Sequence, residues 1–427
     1  MKRYINWIYL YSAVICVFAF IASPAYSLTL DEALALAKEK LPSYKASFIK
    51  TKSSEALYDA SLGPYLPSLD TSAKYNRTYT SKNDYDSRVY DLTLSYTLFD
   101  GGKRSANREI ALLNFDTDKE DLRKNLIELV FNVKVAFYTA IAQKDAFDQR
   151  KIQLQDAQKD FEIAEGRYKF GVAKLSDVLQ ASVRLEQAKF NLVQAEGDFN
   201  KALSELNSII GKALDSRFEI QGSLDIGMEP PDVKMLSDLS LQRPEIKQAE
   251  LSLKIAESSK SLTLSAFYPV FSADASYTRT SGGRSSTTTS SPDERSVGVT
   301  ATWNIFELGK FFKHKSSKFD IEVSSEKLND TKRKLLLDVH KTYEDFITAS
   351  NKLKVAEQQL KQAEHNYQQA FGEYKVGKAD ILSLVQAESL LSTAREQLIQ
   401  SRLNLVLSKA LLEKTAGVER FESANGK

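Results

Sequence analysis

One apolar seam, written twice, limits what this chain can fold into more than any other feature. Val178, Ala181, Leu185, Ala188, Leu192, Ala195, Phe199, Ala202, Leu206 and Ile209 step by three and four, the a/d pattern of a coiled coil. Adding 206 to each number gives Leu384, Ala387, Leu391, Ala394, Leu398, Ser401, Leu405, Ser408 and Leu412, with Thr415 in place of the last isoleucine. Upstream, Leu154, Ala157, Phe161, Ala164 and Tyr168 map at the same offset onto Leu360, Ala363, Tyr367, Ala370 and Tyr374. Between the arms stand Tyr168-Lys169-Phe170-Gly171 and Tyr374-Lys375-Val376-Gly377, each a natural helix stop. The chain therefore holds two long antiparallel helical hairpins, and large residues alternating with Ala or Ser let facing helices approach closely. A coiled coil serving only dimerisation would need the seam but not its duplication.

The chain opens on Met1-Lys2-Arg3, an apolar run over about residues 8–22, and Ser23-Pro24-Ala25-Tyr26-Ser27. A basic start, a short apolar core and small residues at its end read as a secretory signal peptide over 1–27, cleaved after Ala25 or Ser27. Cys16 is the one cysteine and lies inside that segment, so the mature chain is expected to carry no disulfide and no lipid anchor. The chain has 58 basic and 56 acidic residues, and the excess is Lys2 and Arg3, so the mature balance is neutral and argues against nucleic acid as a partner. No later stretch approaches 18 apolar residues, which predicts no transmembrane helix.

Leu28 to Leu41 reads as a short helix with Thr29 or Asp31 as its cap, and Pro42 and Pro244 open equivalent helices in the two halves. After Pro67 and Pro269 the period changes to two. Tyr90, Leu92, Leu94, Tyr96 and Leu98 alternate with Asp91, Thr93, Ser95 and Thr97, and Val297, Val299, Ala301, Trp303 and Ile305 alternate with Thr300, Thr302 and Asn304. Strands are predicted at about 69–79, 89–99, 270–280 and 296–306, each with one apolar face and about the ten residues a tilted strand needs to cross a bilayer. Four strands of a soluble sandwich are the alternative. The joining loops, 80–88 and 281–295, are rich in Ser, Thr, Gly, Asn and Asp and read as solvated hairpins.

The resulting organisation is a first structural repeat over 28–210, with long helices at about 103–170 and 174–210. A second follows over 238–416, with helices at about 310–376 and 379–416. A small mixed segment over 211–237 links the repeats, and a short tail covers 417–427. A helix of nearly 70 residues is on the order of 100 Å long, too long for one globular core, so these helices bury their seams against one another. The class is mainly α with a small membrane β part. Four strands cannot close a barrel alone, and an open edge is not tolerated in hydrocarbon, so the protomer must oligomerise. A polar-inside barrel continuous with a helical barrel is a conduit. A periplasmic coiled-coil scaffold without a channel is the alternative, and it would have no use for four amphipathic strands.

These residues resemble the TolC-like outer-membrane efflux and secretion ducts of Gram-negative bacteria. The resemblance rests on the duplicated Tyr-x-x-Gly hairpins, Arg243-Pro244-Glu245, the exit Phe99-Asp100-Gly101-Gly102-Lys103 and the order of elements. It implies a homotrimer with a 12-stranded barrel among outer-membrane lipid and a periplasmic α-helical barrel. It also implies a tip that docks a periplasmic adaptor of an inner-membrane transporter of RND, ABC or MFS type, including type I secretion. The implied docking tips are Phe170-Gly171-Val172 and Val376-Gly377-Lys378. For the gate, the resemblance pairs a Tyr three residues before the second Gly with an Asp six residues after the first, here Tyr374 and Asp177. The family's acidic ring positions are occupied by Ser383 and Gln386, leaving Asp380 as the nearby carboxylate.

Enzyme chemistry finds little support. His314, His340 and His365 lie about 25 residues apart on one helix and read as surface residues, which brings no two together within a protomer. No Gly-rich phosphate loop follows a strand, and no catalytic, metal or cofactor residue is expected.

Overall fold

The computed structural model describes residues 27–81, 84–225, 227, 231–282 and 293–421. The signal segment up to residue 26 with Cys16, the hairpin positions 82–83 and 283–292, and the tail beyond 421 lie outside the described residues. The elements in order are β1 (Ser27–Leu28), α1 (Leu30–Lys40), α2 (Pro42–Ala60), β2 (Ser68–Thr78), β3 (Tyr85–Phe99), α3 (Lys103–Lys169) and α4 (Leu175–Ile209). They continue with β4 (Glu219–Ile220), α5 (Val233–Ser240), α6 (Pro244–Ser265), β5 (Val270–Gly282), β6 (Asp293–Thr302), α7 (Leu308–Lys375) and α8 (Ile381–Ala416). The two compact units do not follow the repeats. One draws on Met1–Lys45, Leu126–Ser240 and Leu337–Lys427, the other on Ala46–Asn125 and Leu241–Leu336, so each takes a share of both copies.

In the second unit β2, β3, β5 and β6 form one antiparallel sheet in that order. Strand β3 starts at Tyr85, four residues before the expected position. Strand β6 is displaced, running from Asp293 to Thr302 rather than to about 306. Trp303 turns its indole N–H onto the Phe267 carbonyl at 3.1 Å, and Lys310 donates to the Asn304 carbonyl at 2.6 Å, so these residues leave the ladder despite their alternating pattern. Helix α7 accordingly starts at Leu308. At the matched exit of the first copy, the Asp100 carboxylate accepts from the N–H groups of Gly102 (3.1 Å) and Arg104 (2.9 Å), capping α3. Gly101 is needed there: its φ is +67°, and a Cβ would lie 2.7 Å from the Ser265 carbonyl oxygen. His314 departs from the surface reading. It is half-buried, with Nδ1 3.2 Å from Thr263 Oγ1 and its ring edge-on to Phe267.

In the first unit, helix α1 starts with a capping box. Thr29 Oγ1 accepts from the Glu32 N–H at 3.3 Å and Glu32 accepts from the Thr29 N–H at 2.9 Å, which selects Thr29 over Asp31. The linker contributes β4, which pairs in parallel with β1, and leads into α5. Leu28, Ala33 and Ala37 pack with Val133, Phe137, Ala140, Leu206 and Ile210, while Leu236 packs with Val339, Phe346, Leu405 and Leu412. Helix α3 contains one window that is apolar enough, by length and composition alone, to cross a membrane, with a mean hydropathy of 1.3. More than half of that window is buried, and Leu129, Val130, Val133 and Phe137 of α3 are core residues of this unit.

Candidate hairpin tips and gate

Both hairpins turn through the same backbone device. Gly171 (φ +71°) and Gly377 (φ +79°) occupy the left-handed region. In the first copy the Val172 N–H reaches back to the Arg167 carbonyl and the Gly171 N–H to that of Tyr168, both at 2.9 Å. In the second, Lys378 reaches Glu373 at 2.8 Å and Gly377 reaches Tyr374 at 3.0 Å. Paired bonds of this kind satisfy the last helical carbonyls around a residue that only glycine adopts cheaply. The turns thereby present Phe170 (86% exposed), Val172 (64%) and Val376 (68%) to solvent.

Below the turns, Tyr374 is fully buried among Ile163, Tyr367, Phe371, Ile381 and Leu384. Among the described residues the Tyr374 hydroxyl has no hydrogen-bond partner, so the expected bond to Asp177 is not formed within the protomer. Arg167 takes its place: its guanidinium lies 4.5 Å from the Tyr374 ring centre and donates to the Tyr374 carbonyl. Burial, offset by Arg167, pushes the Tyr374 phenol above its ordinary pKa. Asp177 instead accepts from the Lys174 N–H at 3.5 Å and the Ser176 hydroxyl at 3.2 Å, at the start of α4. Asp380 is occupied likewise, accepting from the Ser383 N–H (3.0 Å) and hydroxyl (2.8 Å) as N-cap of α8. These hydrogen bonds hold the Asp380 carboxyl below the usual range. Gln386 lies one turn further along α8.

One group the sequence did not single out lies deeper in the seam. Asp160 on α3 is buried, and neither carboxylate oxygen has a hydrogen-bond partner among the described residues. Burial first, then Glu388 and Asp156, raises its pKa to about 7 against the pull of Arg184 and Lys159. Arg184 pairs with Glu388 at 2.8 Å and donates to the Val385 carbonyl at 2.7 Å, and burial raises Glu388 as well. Asp160 sits one residue off the Ala157–Phe161–Ala164 seam, where the three-four pattern does not mark a buried position.

The sheet separates its residues by chemistry. Leu69, Leu94, Ala275 and Val297 are successive cross-strand partners, as are Leu92 and Tyr277, and Ala273 and Val299; all share one face. The opposite face carries Ser72, Asp91, Thr278 and Glu294 in one row and Asp70, Thr93, Ser276 and Ser296 in the next. There Asp91 accepts from Thr93 (2.7 Å) and Thr278 (2.8 Å).

Comparison with known proteins agrees with this architecture. A family model described as "Outer membrane efflux protein" matches residues 28–212 and 235–418, the two repeats. The chain is 22% identical to the alkaline protease secretion protein AprF of Pseudomonas aeruginosa, over 98% of this chain and 89% of that protein. It is 24% identical to the pyoverdine export outer membrane protein OpmQ of the same species, over 84% and 76% of the two chains. Among solved structures, the outer membrane protein VceC from Vibrio cholerae superposes with a TM-score of 0.78 at 18% identity, covering 91% of this chain and 96% of that one.

Proposed function

Because the chain belongs to the outer membrane efflux protein family and is thus an outer-membrane exit duct, we propose that three copies close their sheets into one barrel and that the hairpin turns dock a periplasmic adaptor. The adaptor in turn belongs to an inner-membrane transporter, which supplies the energy. Members of this family are channels rather than enzymes. Closure is supported by the open edges of β2 and β6 in the four-stranded sheet, which hydrocarbon does not tolerate unpaired. Docking is carried by one observation: two matched glycine turns that hold Phe170, Val172 and Val376 out in solvent. Isolated apolar side chains on a rigid turn are what a partner helix can cover.

The gate in this reading comprises Tyr374, Asp177, Asp380, Ser383 and Gln386. Ser383 and Gln386 put a hydroxyl and an amide where carboxylates would ring the closed tip, so multivalent cations bind there weakly. Substitution tests the docking. Proline fixes φ near −65°, so Gly171→Pro and Gly377→Pro are expected to abolish export while trimers still assemble in the outer membrane. Cysteines at Val172 and Lys378 should crosslink to the adaptor. Full export by both proline variants refutes the docking role.

A further inference from the structure

The apolar face of the sheet ends in a pattern that conduction does not require. Each strand carries one arginine on that face, within three residues of its hairpin end: Arg77 on β2, Arg88 on β3, Arg279 on β5 and Arg295 on β6. The register fixes their side, because Arg88 pairs with Tyr75, Arg279 with Tyr90 and Arg295 with Tyr277, each an even number of residues from the leucine rows. Successive arginines are displaced by two residues from strand to strand, always in the same sense. Strand tilt in a closed barrel turns such a stagger into similar height.

Tyrosines line the step from apolar to basic. Tyr90 and Tyr277 separate the leucine rows from the arginines, and the Arg77 and Arg295 guanidinium carbons lie 5.4 and 5.9 Å from the rings of Tyr79 and Tyr277. Two carboxylates share this face, Asp86 at 3.7 Å from Arg77 and Asp293 at 3.8 Å from Arg279. Four arginines against two acids leave an excess of two positive charges at the rim of this face. Charge facing lipid tails is costly, whereas a guanidinium just beyond the aromatic girdle meets headgroups, and its planar fork suits phosphate oxygens. The hairpins lie at the strand ends away from the helical connections, which in an outer-membrane duct is the external leaflet.

We propose that Arg77, Arg88, Arg279 and Arg295 form a collar that binds the phosphate groups of anionic lipid in the outer leaflet and fixes the depth of the barrel. This rests on reading the sheet as part of a closed membrane barrel. The test uses the purified trimer in phosphatidylcholine nanodiscs carrying either bisphosphorylated or dephosphorylated lipid A, with bound lipid counted by native mass spectrometry. The unmodified protein is expected to retain the phosphorylated form selectively. Arg88→Gln with Arg295→Gln should weaken that retention about 25-fold, on the order of fivefold per charge, and the corresponding lysine pair should recover most of it. Lys74→Gln, on the opposite face, should change nothing. Equal retention of the two lipid forms, or an equal loss with Lys74→Gln, overturns the collar. Failure to insert as a trimer, read from carbonate extraction and gel mobility, overturns the barrel reading beneath it instead.

Discussion

The two hairpin turns share a seam and a glycine, yet they are locked to different degrees. Tyr168 and Tyr374 occupy equivalent positions three residues before Gly171 and Gly377, but Tyr168 is 44% exposed and Tyr374 only 1%. The difference lies one residue upstream, where the first copy has Arg167 and the second Glu373. Arg167 lays its guanidinium over the Tyr374 ring. Glu373, held by Gln369 at 3.0 Å, offers the first copy nothing similar. Duplication thus fixes the backbone of both turns, while the residues flanking the seam decide which turn is pinned. The contact is made by the first copy's Arg167 on the second copy's Tyr374, so it ties the two turns together while leaving Tyr168 uncovered.

The sharpest way to break this comparison is to truncate both tyrosines. Tyr374→Ala removes a fully buried aromatic and should destabilise the hairpin by about 3 kcal/mol, whereas Tyr168→Ala should change stability by less than about 0.5 kcal/mol. Thermal melts followed by circular dichroism at 222 nm compare them directly. Tyr374→Phe removes a hydroxyl that has no hydrogen-bond partner among the described residues of the protomer, so it should be neutral or stabilising. Equal losses from the two alanine variants would show that the copies are locked alike.

Next in size is a pH effect, and it too separates the copies, because the position matching Asp160 is Asn366. The Asp160 carboxyl titrates near 7 in the fold against an ordinary 3.8. Between those values the unfolded chain has released its proton and the folded chain has not, so stability falls as pH rises through this window. The hairpin unit should melt at a higher temperature at pH 5 than at pH 8. Asp160→Asn, which gives the first copy the second copy's side chain, should flatten that slope and stabilise at pH 8 by about 1–2 kcal/mol, the full linkage being discounted for screening. A pH dependence that survives the substitution would place the titration at Glu388 or Asp145, both of which burial also raises.

Much of this was legible in the residues. The period-three-four seam, the period-two strands and the two Tyr-x-x-Gly stops each follow from local pattern, and their repetition made the duplication plain. What local pattern could not give were facts set by contacts across helices or beyond a strand end. Trp303 and Ile305 continue the alternation of β6, but a tertiary bond from the Trp303 indole ends the ladder at Thr302. Asp160 looks like solvated helix, yet side chains of α4 and α8 close over it, with Arg184 and Glu388 beside it. Tyr374 and Asp177 have the spacing of a partnered pair, but Arg167 reaches the tyrosine first and the aspartate turns to its own helix start.

The smallest effect concerns where each copy places its helix-start carboxylate. In the first, Asp177 accepts from the Lys174 N–H three residues earlier; in the second, Asp380 is itself the cap and takes the Ser383 N–H and hydroxyl. A carboxylate engaged this way is aimed at its own helix, which leaves it poorly placed to join a cation-binding ring. The lowered pKa of Asp380 means that the fold favours its charged form, so its contribution is present above the ordinary carboxylate range and is lost as pH falls through the folded value. Hydrogen exchange at the Ser383 amide reads the cap alone. Asp380→Ala should deprotect that amide, Asp380→Asn should largely keep it protected because asparagine caps nearly as well, and Asp177→Ala should leave it untouched. Should Asp380→Ala leave Ser383 exchange unchanged, the carboxylate is free of its helix, and the distinction between the two turns at this position disappears.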